Sequence, residues 1–397
     1  MKIDPTTAAL LREQFQQLAS KEDLLRLLNV AKKELYGPDF IPISLQQLTY
    51  YANPTLSKKR YKSFKIAKKS GGDRTIHAPV PSLKGILRSL NLILQCIFEA
   101  PHVATGFVPG KSIVDNAAKH VGRHYVLNVD LKDFFHSFTR NDVKLAFMYE
   151  PFDLREDREP LAFLLASLCT HPLEVDGKLV PVLPQGSPVS PVLTNILCRK
   201  LDRRLTGLAK RYGLIYTRYA DDLTFSSQKA VLHSDEFWSE FNRIVHDLGL
   251  QLNDKKTRLQ GAGYTQEVTG LLVNEKVNVS RKFIKELRKL LYYWEEYGYE
   301  RASELFLNDQ RRSNAANDLN SKQEKKLQNV LEGKLNYLKM VKGAHHPTFQ
   351  KLDLRFQKCQ TSAGSVTTKR AKNLEEILDI FVQSGLEEAM QVYRKMN

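Results

Sequence analysis

Two aspartates stand side by side in this chain, Asp221 and Asp222, between two runs suited to strands. Thr217-Arg218-Tyr219-Ala220 precedes them and Leu223-Thr224-Phe225-Ser226 follows. β-Branched and aromatic residues favour extended backbone, so the segment predicts strand, tight turn, strand with the acids at the tip. Adjacent half-buried carboxylates repel each other, and a cation relieves that repulsion. An acidic turn by itself is common in solvated loops. The constraint tightens only if further acids and turns fall in the right places.

A third acid does. Tyr125-Val126-Leu127-Asn128-Val129-Asp130 is an apolar strand ending in Asp130, with Phe134 and Phe135 just beyond. An acid at the end of a core strand, beside a hairpin carrying two more, can complete a two-metal site. Two ions roughly 3.5–4 Å apart can activate a 3′-hydroxyl and stabilise leaving pyrophosphate. Magnesium suits an all-oxygen donor set shared with phosphates. Asp133 is the competing carboxylate, readable instead as a surface acid. Between the acidic strands lies Leu183-Pro184-Gln185-Gly186-Ser187-Pro188-Val189-Ser190-Pro191. Its prolines and glycine set a turn and permit close backbone approach before an apolar helix with Val192, Leu193 and Ile196.

The charge balance points the same way. Of 397 residues, 60 are Lys or Arg and 44 are Asp or Glu, a formal charge of +16. A surplus of that size favours a polyanionic partner such as nucleic acid. Lys58, Lys59, Arg60, Lys62, Lys65, Lys68 and Lys69 crowd together among Tyr50, Tyr51, Tyr61 and Phe64. Ser70-Gly71-Gly72-Asp73 marks a turn between short strands there, and Pro79 and Pro81 close the hairpin. The four cysteines, Cys96, Cys169, Cys198 and Cys359, contain no C-x-x-C pair. Cys96 and Cys198 lie in apolar runs and read as core residues, so neither a zinc site nor a disulfide framework is expected, and a reducing compartment is. No run reaches the roughly 18 apolar residues of a membrane span, and the first residues do not resemble a signal peptide. The expectation is a cytoplasmic protein with no membrane partner.

Elsewhere the pattern is mainly helical. Residues 1–36 show helical spacing, with Ser20 and Asp23 forming a capping box. An amphipathic helix is expected from Leu83 to Glu99 and a buried one over residues 161–169. After Arg281 the chain is helical again, interrupted by an exposed polar stretch from Asn308 to Lys326. A further helix spans Lys325 to Val341, residues 361–371 read as a linker, and helical spacing returns from Asn373. The fold class is α+β.

Asp130 with its Phe-Phe, the Leu-Pro-Gln-Gly-Ser-Pro block and Tyr-Ala-Asp-Asp occur in the order of motifs A, B and C of reverse transcriptases, and the chain resembles that family over about residues 50–345. The resemblance implies a right-hand polymerase with fingers, a palm holding an antiparallel sheet, and a helical thumb. The division it suggests is a helical extension over 1–49, fingers over 50–115, palm with part of the fingers over 116–280, thumb over 281–345 and a helical tail over 346–397. No appended nuclease is expected. It implies that Asp130, Asp221 and Asp222, with the Leu131 carbonyl, hold two Mg2+ ions. Phe135, five residues after Asp130, matches a steric gate against the ribose 2′-hydroxyl. Gln185 matches the glutamine beside the incoming nucleotide, and Tyr219 packs near the primer end. Lys69 and Arg74 are expected on the triphosphate of the dNTP, with Lys65 or Lys68 as competitors. Lys256, with Lys255 as its rival, matches the lysine that protonates pyrophosphate.

Two flanking elements narrow the resemblance. Asn116-Ala117-Ala118-Lys119-His120 and Val268-Thr269-Gly270 match the Asn-Ala-x-x-His and Val-Thr-Gly elements of bacterial retron reverse transcriptases. Asn116, His120, Val268, Thr269 and Gly270 are therefore expected at the RNA. So are Arg281, Lys285 and Arg288, on a predicted thumb helix that also carries Lys282, Lys289, Leu287, Leu290 and Leu291. Leu331 to Leu338 resembles the next thumb helix. The resemblance implies a structured non-coding RNA of the msr–msd type as partner. It also implies priming on a guanosine 2′-hydroxyl, a branched RNA-linked DNA product, and an effector protein of the same operon in antiphage defence. The competing readings are a non-retron bacterial reverse transcriptase, intron-type or defence-associated, and an RNA-binding scaffold with an idle polymerase fold.

Overall fold

The structure is a computed structural model that describes residues 3–68, 72–316, 326–362 and Met390. Lys69, the helical segment expected from Asn373 and most of the expected linker fall outside the described residues. Those described divide into two compact units, one ending at Lys276 and the other beginning at Val277.

The first unit opens with three helices, α1 (Pro5–Gln16), α2 (Lys21–Tyr36) and α3 (Leu45–Ala52). The Ser20 capping box forms as the sequence predicts: Ser20 accepts from the Asp23 N–H and Asp23 accepts from the Ser20 N–H. Ser44 and Gln47 form another at α3, a helix the sequence reading did not anticipate. Strands β1 (Tyr61–Ala67) and β2 (Asp73–Pro79) pair as the expected basic hairpin. Helix α4 (Pro81–Ile97) follows, with Leu83, Ile86, Leu87, Leu90, Ile93 and Leu94 on its buried face. It packs against α1 and α2.

Next come α5 (Ile113–Ala118), β3 (Tyr125–Asp130), α6 (Arg140–Met148) and the buried α7 (Glu159–Cys169). The hairpin β4 (His171–Val175) and β5 (Lys178–Val182) leads to α8 (Ser190–Leu197) and α9 (Arg199–Arg211). Strands β6 (Ile215–Tyr219) and β7 (Asp222–Ser227), helix α10 (Asp235–His246) and strand β8 (Arg258–Gly261) complete the central layer. Its antiparallel sheet has the order β6-β7-β3-β8. Phe225 of β7 packs on Phe237 and Phe241 of α10, so one face of the sheet is covered by helices. The short strands β9 (Glu267–Val268) and β10 (Leu271–Leu272) form a separate hairpin. Cys96 and Cys198 lie in the core as expected, and all four cysteines are free.

One member of the basic crowd belongs to the interior. Arg60 is 1% exposed. Its guanidinium donates to the Tyr51 and Ser167 carbonyls at 2.6 and 3.0 Å and also to the Thr170 carbonyl. Ser167 and Thr170 sit at the C-terminal end of α7, where carbonyls lack helical partners and attract cations. Arg60 therefore ties α3 and α7 together and is not available to nucleic acid.

The second unit is helical: α11 (Arg281–Ala316), α12 (Leu327–Lys342) and α13 (Pro347–Ser362), each packed against the other two. Helix α11 breaks at Gly298, whose φ of 74° is left-handed. Lys289 reaches Asp309 at 2.6 Å across that break. Twenty residues of straight helix would span about 30 Å, so the chain folds back at Gly298. The polar stretch expected to interrupt the helix from Asn308 remains helical as far as Ala316, and α13 runs to Ser362, two residues into the expected linker. Among the described residues no helix is long and apolar enough to cross a membrane.

Candidate active site

Strand pairing brings the acids together. Tyr219 pairs with Asp222 across the turn of β6 and β7, leaving Ala220 and Asp221 as its two central residues. Ala220 takes a φ of 58°, the left-handed conformation that a two-residue hairpin turn demands. On the other side of β7, Asp130 pairs directly with Asp222. The Leu131 N–H donates to the Asp221 carbonyl at 3.0 Å, tying the end of β3 to the turn. Asp133, the competing acid, is exposed and has its own left-handed φ of 46°.

Asp130 is held on both sides. Lys256 Nζ donates to Oδ1 at 2.7 Å, and Asn253 Nδ2 donates to Oδ2 at 2.9 Å. The Asn253 backbone N–H also donates to the Asp130 carbonyl at 2.8 Å. Asn253 had no role in the sequence reading; its only signal is its place three residues before Lys256 in the same turn. Lys256, the preferred of the two candidate lysines, is thus the one whose ammonium reaches the acids.

The electrostatics favour a cation. Burial, then the charges of Asp221 and Asp130, push the Asp222 carboxyl up to about 7. Burial, with Asp130 adding to it, also raises Asp221, while Lys256 and Arg74 act in the opposite direction. Among the described residues no three His, Cys, Asp or Glu side chains gather closely enough to hold one ion. The Asp130 oxygens are turned to Lys256 and Asn253, and Lys256 supplies positive charge against that carboxylate. The donor set itself fits a divalent cation. It is all carboxylate oxygen on adjoining strand ends, and ionisation of two members is opposed by their neighbours.

The other expected residues lie around this edge in different ways. Gln185 is half-buried, and its carbonyl accepts from the His77 N–H of β2 at 2.8 Å. Gly186 beside it takes a φ of +119°, and a Cβ there would lie 2.7 Å from the His77 carbonyl oxygen. The β1–β2 hairpin thus seats on the Pro-Gln-Gly-Ser turn through backbone contact that only glycine permits. Arg74 is exposed on β2, close enough to Asp221 for its charge to act there. Lys65 pairs with Asp73 at 3.7 Å. Phe135 is half-buried against Phe134 and Phe107, and Tyr219 is half-buried at the end of β6.

Three residues expected at RNA are interior instead. Asn116 and His120 are both 0% exposed. Asn116 Oδ1 accepts from Thr105 Oγ1 at 2.8 Å. His120 bridges Thr217 of β6 and Ser226 of β7, each at 2.7 Å. Val268 is buried as well. Direct RNA contact by these side chains is therefore corrected to internal packing. The two flanking elements nonetheless meet: α5 packs against β9 and β10, and Thr269 Oγ1 donates to the Ile113 carbonyl at 3.4 Å. Thr269 and Gly270 both have positive φ, 47° and 82°, and Gly270 stays exposed at the tip. A β-branched residue in that region is a genuine outlier. In the second unit Arg281, Lys285 and Arg288 are exposed, opposite the buried Leu287, Leu290 and Leu291. None of the three cations has an ion-pair partner among the described residues.

An antiparallel sheet backed by helices, with one acid ending β3 and two on the adjoining turn, defines a right-hand polymerase domain of mixed helix and sheet. The family described as reverse transcriptase (RNA-dependent DNA polymerase) matches residues 66–271, a span that holds all three acids, Gln185 and Lys256. Retron Mx65 reverse transcriptase of Myxococcus xanthus is 41% identical over 262 residues, 63% of this chain and 60% of that one. Retron Mx162 reverse transcriptase of the same organism is 38% identical over 277 residues, 63% and 56% of the two chains. Retron Ec86 reverse transcriptase of Escherichia coli is 37% identical over 240 residues, 59% of this chain and 70% of its relative. The chain belongs to the reverse transcriptase family, and within it to the retron reverse transcriptases. The matched region spans under two thirds of the length of the two Myxococcus proteins.

Proposed function

We propose that the chain is the RNA-directed DNA polymerase of a retron. It would copy a structured non-coding RNA of the msr–msd type into DNA, starting from a guanosine 2′-hydroxyl, and leave a branched RNA-linked product. The observation that carries this reading is the pairing of Asp130 with Asp222 beside Asp221. Carboxylates on adjoining strand ends supply the oxygen ligands that magnesium shares with substrate phosphates at a phosphoryl-transfer site. Two bound Mg2+ ions would lower the hydroxyl's pKa and offset charge on the phosphates.

The chain's own residues divide the remaining work. Asp130, Asp221, Asp222 and the Leu131 carbonyl are the proposed metal ligands. Arg74 and Lys69 grip the triphosphate of the dNTP, and Gln185 lines its base and sugar. Phe135 crowds the 2′ position and favours deoxyribose, while Tyr219 supports the primer end. The priming hydroxyl gives up its proton to solvent as its oxygen bonds to the α-phosphorus, the bond from that phosphorus to the α–β bridging oxygen breaks, and Lys256 gives a proton to the departing pyrophosphate. Its ammonium at 2.7 Å from Asp130 supports that role. Thr269, Gly270, Arg281, Lys285 and Arg288 contact the RNA by shape and phosphate charge. An effector protein from the same operon and a part in antiphage defence complete the proposal.

The test uses the purified chain with poly(rA)–oligo(dT), dTTP and Mg2+. Wild type should incorporate dTMP, and Asp221→Asn or Asp222→Asn should lose at least about a thousandfold in kcat. Phe135→Ala should gain ribonucleotide incorporation relative to dNTP. Undiminished synthesis by either Asn variant would overturn the assignment of the acids.

A further inference from the structure

Behind the β6–β7 turn lies a buried polar network to which none of the roles above appeals. Arg218, three residues before Asp221, is wholly buried. Its guanidinium forms a two-pronged pair with Asp202 of α9, Nε to Oδ1 at 2.8 Å and Nη2 to Oδ2 at 2.7 Å. The remaining prong, Nη1, donates to Asn195 Oδ1 of α8 at 3.0 Å and to the Ala220 carbonyl at 3.3 Å. Tyr216 donates its hydroxyl to Asp202 at 2.9 Å, and Asn195 Nδ2 donates to the Gly106 carbonyl at 3.0 Å. Gly106 in turn lies flat on the turn: a Cβ there would stand 2.4 Å from the Ala220 nitrogen.

Fold stability alone does not account for this arrangement. A buried ion pair is costly to desolvate, and apolar residues of similar volume often fold as well or better. What a guanidinium adds is direction, because its donors lie in one rigid plane. One of them points at the Ala220 carbonyl. That carbonyl belongs to the peptide unit whose N–H is Asp221's, and Ala220 is the residue held at positive φ. The orientation of that peptide determines where the two acids project from the turn.

Building on the polymerase reading, we infer that Arg218, braced by Asp202 and Asn195, is a positioning residue for the acid-bearing turn. It locks the Ala220–Asp221 peptide and thereby sets the placement of Asp221 and Asp222 for the metal ions.

Two variants separate this role from folding. Arg218→Lys keeps a charge opposite Asp202 but cannot reach Asp202, Asn195 and Ala220 together. Asn195→Ala leaves the ion pair whole and removes the links to Arg218 and Gly106. Each is compared with wild type in dTTP incorporation on poly(rA)–oligo(dT). Mn2+ binding to the protein without nucleic acid is read separately by electron paramagnetic resonance, and folding by urea titration. The expected result is a fall in kcat of about tenfold with KM for dTTP within about twofold, the signature of misplaced chemistry in a bound complex. Mn2+ affinity should fall several-fold in the same variants. A folded Asn195→Ala with wild-type kcat and wild-type Mn2+ affinity would overturn the inference, whatever the behaviour of Arg218→Lys. Wild type that incorporates no dTTP would instead refute the polymerase reading, and this inference with it.

Discussion

Gly186 shows how much a single position can decide. Its φ of +119° and the 2.7 Å approach of the His77 carbonyl leave no room for a side chain. Gly186→Ala must therefore shift backbone, at a cost of about 1–3 kcal/mol. The urea midpoint should fall accordingly, and dNTP incorporation should fall with it because Gln185 moves; a midpoint equal to wild type would contradict the contact. His120 makes a second residue-scale case. Burial, reinforced by Lys119 and Arg123, depresses its imidazole to about 3, so the folded state keeps the ring neutral between two hydroxyls. The unfolded ring protonates near pH 6.5. Below that value the unfolded chain binds a proton that the folded chain refuses, so stability falls as pH falls, by about 1.4 kcal/mol per unit down to about pH 3. In urea titrations the advantage of wild type over His120→Gln should shrink by about 2 kcal/mol between pH 7.5 and 5.0. A gap that stays constant over that range would show that the ring is not held neutral.

At the scale of elements, what was legible in the sequence was local. The strand–turn–strand around Asp221 and the strand ending at Asp130 carry their patterns within ten residues, and both form as read. The partners of buried polar groups were not legible, because they lie far along the chain. Arg60 looked like one more cation in a basic run, yet its acceptors at Ser167 and Thr170 come more than a hundred residues later. Asn253 meets Asp130 across 123 positions and His120 meets Ser226 across 106. Spacing does not disclose such pairings, so motif residues read as RNA contacts proved to be packing. The fold-back at Gly298 was hidden for another reason: glycine inside a helical pattern signals equally a tolerated residue or a break. Helix α11 also begins with Arg281, Lys282 and Lys285, where the helix dipole disfavours cations. Such placement suits phosphate binding better than helix stability. Replacing Arg281, Lys285 and Arg288 with Ala should reduce the slope of log Kobs against log salt for an RNA hairpin by about 2–3. An unchanged slope would remove this face from the RNA-binding surface.

At the scale of the whole molecule, a formal charge of +16 sits on a chain whose central sheet carries Asp130, Asp221 and Asp222 together at one edge. That division suits the proposed polymerase, in which cations would hold nucleic acid and carboxylates would hold metal. The region shared with retron relatives covers about three fifths of the chain, so the branched product is the claim that most needs direct evidence. The decisive measurement is to express the chain with its neighbouring genomic DNA and isolate the small nucleic acids. These are treated with RNase and with a 2′,5′-debranching enzyme, beside a control carrying Asp221→Asn and Asp222→Asn. The account predicts an RNA-linked DNA that debranching releases and that the control lacks. A DNA product already linear before debranching, or a branched one that persists in the control, would contradict it.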